Sequence, residues 1–198
     1  ERCGDESAAI LAYEAVLEQS ATQPVALDRL GELLVERQEW ARAYEVSTTL
    51  ILHHEAQLAP KERAQVFLRM ARAQQGTEQM EGAHRFAKRA HHLDPGLDLP
   101  LRIMADALEG TGEAFEAAEC LKRLAQLASS EQDKAACLLR AGRLLQEQAD
   151  DPARAAAMLT EAQAVDPTAD EIAQRLAVCR AAVNDAPGAA TALQLLAG

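Results

Sequence analysis

The chain has 198 residues, 48% of them hydrophobic, 26% charged and only 3% aromatic, and its formal net charge is −11. So large an apolar fraction, made mostly of Ala and Leu with few β-branched runs, excludes a disordered polypeptide and a sheet protein and predicts helix throughout. The acidic balance repels phosphate backbones and anionic lipid, so nucleic acid and membrane surfaces are not expected partners, and no apolar stretch nears the ~20 residues of a membrane span.

The opening residues, "ERCGDES", hold no apolar signal-peptide core, and Glu1-Arg2 ahead of Cys3 are not the small apolar residues that lipid attachment needs, so a cytoplasmic protein is expected. A first helix is predicted at 6–19, with no partner before it. Helix pairs follow at 25–56, 61–93, 98–128, 132–164 and 169–196, eleven helices in one domain over 1–198. A series that opens on an unpaired helix, in a sequence without an initiator Met, is expected to be a piece of a longer array.

The pairs rest on a recurrence. Small residues stand at Ala9, Ala43, Ala83, Ala117, Ala155 and Ala189, in steps of 34, 40, 34, 38 and 34. Ahead of the last five runs a stripe at i, i+3, i+4, i+7. It reads Leu27-Leu30-Gly31-Leu34, then Phe67-Met70-Ala71, Leu101-Met104-Ala105-Leu108, Leu138-Ala141-Gly142-Leu145 and Ala173-Leu176-Ala177, with Gln74 and Arg180 breaking it. A helix of about 13 residues and a tight turn, taken twice, come to about 34 residues, and neither helix buries its stripe unless the next pair stacks on it. Gly31 and Ala105 are expected to be small because a facing helix approaches there.

Pro60 and Pro152 suit first helical turns, Asp151 is placed to cap, and "EGTG" (109–112) breaks the stripe between two helices. The two long steps fall before first helices without Asp-Pro ahead of them, so "QLAPKERA" (57–64) and "LASSEQDK" (127–134) are expected as lengthened connectors. Short and long repeats then alternate, which explains the spacings of 71 and 72 between Pro24, Pro95 and Pro167.

"LDRLGELL" (27–34) with Trp40 and Ala43, Ala117 with Leu121, and Ala155 with Leu159 and Pro167 resemble the tetratricopeptide repeat (TPR), whose 34-residue unit carries W-x2-L-G-x2-Y on a first helix and A-x3-F, then P, on a second. The aromatic positions have mostly become Leu or Ala. The resemblance covers nearly the whole chain and implies an all-α fold, a right-handed α-solenoid of antiparallel helix pairs. It also implies a non-enzymatic module for protein–protein interaction, a scaffold or adaptor whose first helices line a concave groove. Carried onto this chain, the groove positions fall on Asp28, Glu32 and Glu36, on Arg69 and Arg72, on Arg102, Asp106 and Glu109, on Arg140 and Arg143, and on Glu171, Gln174 and Arg175.

"LRMAR" (68–72) and "LRAGR" (139–143) each set two Arg one helical turn apart, and with Arg102 they offer five guanidinium groups to a protein or peptide partner with an acidic segment. An alternative stays open: these Arg pair across the groove with Asp106 or Glu109 and hold neighbouring repeats in register. The Lys and Asn clamp by which relatives grip chaperone C-terminal tails has no counterpart here, so that ligand is not expected. A second functional reading is a regulatory or sensory array controlling an attached effector domain, in bacterial polarity, motility or signalling. Sixteen Arg against four Lys, and a single Asn, fit a GC-rich bacterial source.

Nothing points to catalysis, a metal or a cofactor. The four Cys have no CxxC spacing and read as reduced, buried or half-buried thiols, and the adjacent pairs His53-His54 and His91-His92 diverge by ~100° on a helix and cannot easily grip one ion.

Overall fold

The computed structural model describes residues 2–194, with side chains over 6–192; the expected end of the fifth pair at 195–196, and the side chain of Cys3, lie outside them. Among the described residues there are eleven α-helices and no strand. They are α1 (Arg2–Gln19), α2 (Pro24–Glu36), α3 (Trp40–His54), α4 (Pro60–Gly76), α5 (Met80–Leu93), α6 (Leu99–Thr111), α7 (Ala114–Leu127), α8 (Glu131–Glu147), α9 (Pro152–Val165), α10 (Asp170–Ala182) and α11 (Ala186–Gln194). None is long and apolar enough to cross a membrane.

Most of each expected lengthened connector, 60–64 and 131–134, is instead helix. Pro60 and Glu131 open α4 and α8, which have 17 residues each where α2, α6 and α10 have 13. Local capping drives the early start. Pro60 needs no N–H in the first turn, and the Ala59 N–H donates to Glu62 Oε2 at 2.7 Å. At α8, Ser130 is the cap: its Oγ accepts the Asp133 N–H at 3.0 Å and donates to Asp133 Oδ2 at 2.7 Å.

Each helical hairpin turns on one residue in the left-handed region: Gln38 (φ 60°), Glu78 (60°), Gly112 (82°), Asp150 (49°) and Asn184 (62°). These positions repeat with the alanine spacing, five residues ahead of Ala43, Ala83, Ala117, Ala155 and Ala189. In four of them the next N–H reaches back to the last position of the stripe, Leu34, Gln74, Leu108 or Arg180, at 2.8 Å, and in the fourth hairpin Asp151 reaches Leu145 at 2.9 Å. The helix end thus hands its carbonyl to the turn. Gly112 isolates the conformational term, because a Cβ there would meet nothing within 4 Å. Gly112→Ala should therefore cost about 1 kcal/mol, from left-handed strain alone, as measured by urea denaturation.

Two compact units divide the chain, Glu1–Ile103 and Met104–Gly198. In the first, α2 pairs with α3 and α4 with α5, and α3 also packs on α4. Leu27, Leu30 and Leu34 of α2 and Phe67, Met70 and Ala71 of α4 are buried, and Ala43 and Ala83 have no exposed surface. Ile10 brings α1 into a cluster with Leu30, Leu34, Val35 and Ala43, flanked by Tyr13, Leu17, Trp40 and Tyr44. In the second unit α8 pairs with α9 and α10 with α11, with α7 against α8 and α9 against α10. Leu138, Ala141, Leu145, Leu159, Ala173 and Leu176 are its buried seam.

The small residues have two separate reasons. At Gly142, for which no close approach was expected, a Cβ would sit 2.7 Å from Leu159 Cγ of the facing helix α9. At Gly31 the space is taken by side chains, Arg69 and Ser47, each 3.3 Å from where a Cβ would stand. The two breaks in the stripe are also accommodated. Gln74 lies along Gly82 of α5, and Arg180 donates to the Gly188 carbonyl at 3.0 Å, so each long polar side chain folds over the bare backbone of the next helix.

Candidate functional site

In the first unit α2 and α4 present their stripes to the core and their other edges to a shared recess of about 280 Å³. Glu32, Val35 and Glu36 line it from α2, Gln65, Leu68, Arg69 and Arg72 from α4, and Leu99 from the start of α6. Arg69 turns inward and keeps only 7% of its surface exposed. Its guanidinium donates both to the Asp28 carboxylate and to the Asp28 main-chain carbonyl, filling the space that Gly31 leaves. That pair fastens α4 to α2. Glu32 is held by Arg29 of its own helix at 2.8 Å, and Arg102, half exposed, by Asp98 at 3.3 Å. Glu36 and Arg72 are exposed, and among the described residues neither has an ion-pair partner.

The second unit repeats this division of labour. Arg140, the counterpart of Arg69, donates through Nε to Glu109 at 3.1 Å and through a terminal nitrogen to Asp106 at 2.7 Å. Burial works against the Arg140 cation, but the hydrogen bonds to Glu109 and Asp106 outweigh it and hold its pKa above the ordinary arginine value. Arg175 of α10 does the same one helix further on, donating to Glu147 at 2.8 Å, Gln146 at 3.2 Å and Glu171 at 2.9 Å. Arg143, the counterpart of Arg72, is exposed and makes no ion pair among the described residues.

Pairing between first helices is made by Arg69 and Arg140, and Arg72 and Arg143 are left exposed. In each L-R-x-x-R run the first Arg bridges two first helices and the second points to solvent. The bridging role of Arg175 was not anticipated, although its spacing of 35 from Arg140 carries the signal. Elsewhere, no group of three metal-ligating side chains converges among the described residues. His54 is occupied structurally, with Nε2 2.6 Å from the Thr22 carbonyl. Cys120, Cys137 and Cys179 are buried, and burial pushes the Cys179 thiol above its ordinary pKa, with Arg175 opposing, which suits an inert core residue.

No protein-family model matches the sequence, and none of the curated proteins does. The backbone does match solved structures. The crystal structure of MamA superposes with a TM-score of 0.69 at 16% identity, over 84% of this chain and 85% of MamA. YrrB, described as a TPR protein with an unusual peptide-binding site, gives a TM-score of 0.66 at 14% identity, over 93% of this chain and 90% of YrrB. The chain has a tetratricopeptide-like fold. MamA residues 41 to the end from Desulfovibrio magneticus RS-1 agree, with a TM-score of 0.58 at 14% identity, over 85% of this chain and 89% of that one. In the tetratricopeptide frame α2, α4, α6, α8 and α10 are first helices, and α1 is a second helix like α3, α5, α7, α9 and α11.

Proposed function

We propose that the chain is a non-enzymatic protein-interaction module, a scaffold or adaptor that takes up an acidic segment of a partner protein on its first helices. The observation that carries this reading is the recess between α2 and α4, where an exposed Arg72 stands beside the apolar Val35, Leu68 and Leu99. A carboxylate side chain could pair with Arg72 while a neighbouring apolar side chain enters the recess. Arg143 offers the same group on the second unit. Arg69, Arg102 and Arg140 are already paired within the chain and contribute rigidity rather than free charge. The likeness to YrrB, a TPR protein with a peptide-binding site, supports a peptide or protein as ligand.

The test is selection of a random peptide display library on the immobilised chain. Enriched peptides should carry Asp or Glu next to an apolar residue and should bind Arg72→Glu at least tenfold more weakly, with Arg143→Glu reporting the second unit in the same way. Binding should also weaken as salt rises. Peptides that bind the wild type and both variants equally would refute the acidic-segment reading. Arg69→Glu is unsuitable, since it would bury a carboxylate against Asp28.

A further inference from the structure

The recess between α2 and α4 holds charge of both signs, and the chain neutralises only part of it. On the α2 side Glu32 is taken by Arg29 of the same helix at 2.8 Å, and Arg37, just past the helix end, is turned to Glu39 at 3.3 Å. Glu36 lines the recess, is exposed and has no ion-pair partner among the described residues. Its place does not favour the helix. Glu36 is the last residue of α2, where a carboxylate meets the negative end of the helix dipole, and the last turn contains no basic residue.

Arg72 stands in the same recess on α4, and it does not pair with Glu36. The register of the two helices explains why. As first helices of successive repeats α2 and α4 run the same way, and the Asp28–Arg69 ion pair sets residue 28 beside residue 69. Arg72 is then level with Gly31, and Glu36 lies five residues further on, about 7 Å along the axis. Two residues of an extended peptide also span about 7 Å. A purely acidic ligand would satisfy Arg72 and bring a second carboxylate against Glu36, whereas a cation two residues from the ligand carboxylate would satisfy both. The second unit lacks the anion. Nine residues after the start of the stripe, Leu27 leads to Glu36 but Leu101 leads to Gly110, so the first helix ahead of Arg143 has no side chain at that place. Its carboxylates Asp106 and Glu109 are held by Arg140.

We propose that the recess at Arg72 selects a peptide segment in which Lys or Arg stands two residues from Asp or Glu, with Glu36 taking the cation, and that the site at Arg143 takes the acidic residue alone. The inference deepens the acidic-segment reading at Arg72 and depends on it. Its test is a pair of peptide display selections on full 198-residue chains that keep one site each, Arg143→Glu and Arg72→Glu. Peptides enriched on the first should join Asp or Glu to Lys or Arg at an offset of two, and those enriched on the second should carry the acidic residue without that companion. For a peptide of the first set, fluorescence anisotropy should show at least fivefold weaker binding when its Lys or Arg becomes Ala, and that loss should vanish on Arg143→Glu/Glu36→Gln. On Arg143→Glu/Glu36→Lys the preference should reverse, so that the peptide with Glu in place of its Lys binds best. Indifference to the peptide cation, or a cation preference that survives Glu36→Gln, overturns the inference and leaves the acidic-segment reading standing. Absence of any acidic preference on the Arg143→Glu chain removes both.

Discussion

Gly142→Val should destabilise the second unit by about 3 kcal/mol, the upper range for overpacking a well-filled seam. A Cβ alone at residue 142 would come within 2.7 Å of Leu159 Cγ and 2.8 Å of Cδ2, and Leu159 has no exposed surface into which it could retreat. The gain in helix propensity on leaving glycine, a few tenths of a kcal/mol, is too small to compensate. Leu159→Ala by itself should also cost about 3 kcal/mol, through the cavity it opens. Combined, the two should cost clearly less than their separate effects, by 1 kcal/mol or more, since the new side chain occupies the vacated space. Hydrogen exchange should localise the single-variant loss to α8 and α9. Additive behaviour in the double variant would show that the seam at Gly142 is not the point of contact.

Asp28→Ala should cost about 2 kcal/mol, and Arg69→Met less than about half of that, as read from urea midpoints. The asymmetry follows from burial. Asp28 keeps 39% of its side chain exposed and can return to water when its partner is removed, but Arg69, at 9%, cannot. Removing the carboxylate strands a cation that retains only a main-chain carbonyl, and one guanidinium nitrogen, Nε, already has no acceptor. Methionine in its place fills a similar volume without charge. Equal losses for the two variants would mean that water reaches the guanidinium.

The apolar seams were legible in the sequence because a 3.6-residue period is written directly into residue order. Leu27-Leu30-Leu34 and Leu138-Ala141-Leu145 needed no coordinates to be recognised, and they are buried. The extra turns of α4 and α8 were not legible: Pro60, Lys61 and Glu62, like Glu131, Gln132 and Asp133, are exposed and leave no apolar pattern to read. Their signal lay in caps, Glu62 bonding back to Ala59 and Ser130 bonding forward to Asp133. Hairpin turns hid for another reason. Gly112 and Asn184 are residue types that favour a positive φ, but Gln38 and Glu78 are not, and there the turn is imposed by the two helices it joins. For the arginines, spacing revealed that Arg69 and Arg140 are equivalent, while only distances could separate a bridging guanidinium from an exposed one.

The four residues by which α4 and α8 exceed α2, α6 and α10 subtend about 400° of helix, so the added segment is close to one whole revolution. An insertion of that size at the N-terminal end leaves every downstream side chain in angular phase with its neighbours. One of two residues would swing the stripe to the opposite side. Length in such an array can thus change only in near-integral quanta, and the first helices of this chain alternate by one such quantum, short at α2, α6 and α10 and long at α4 and α8.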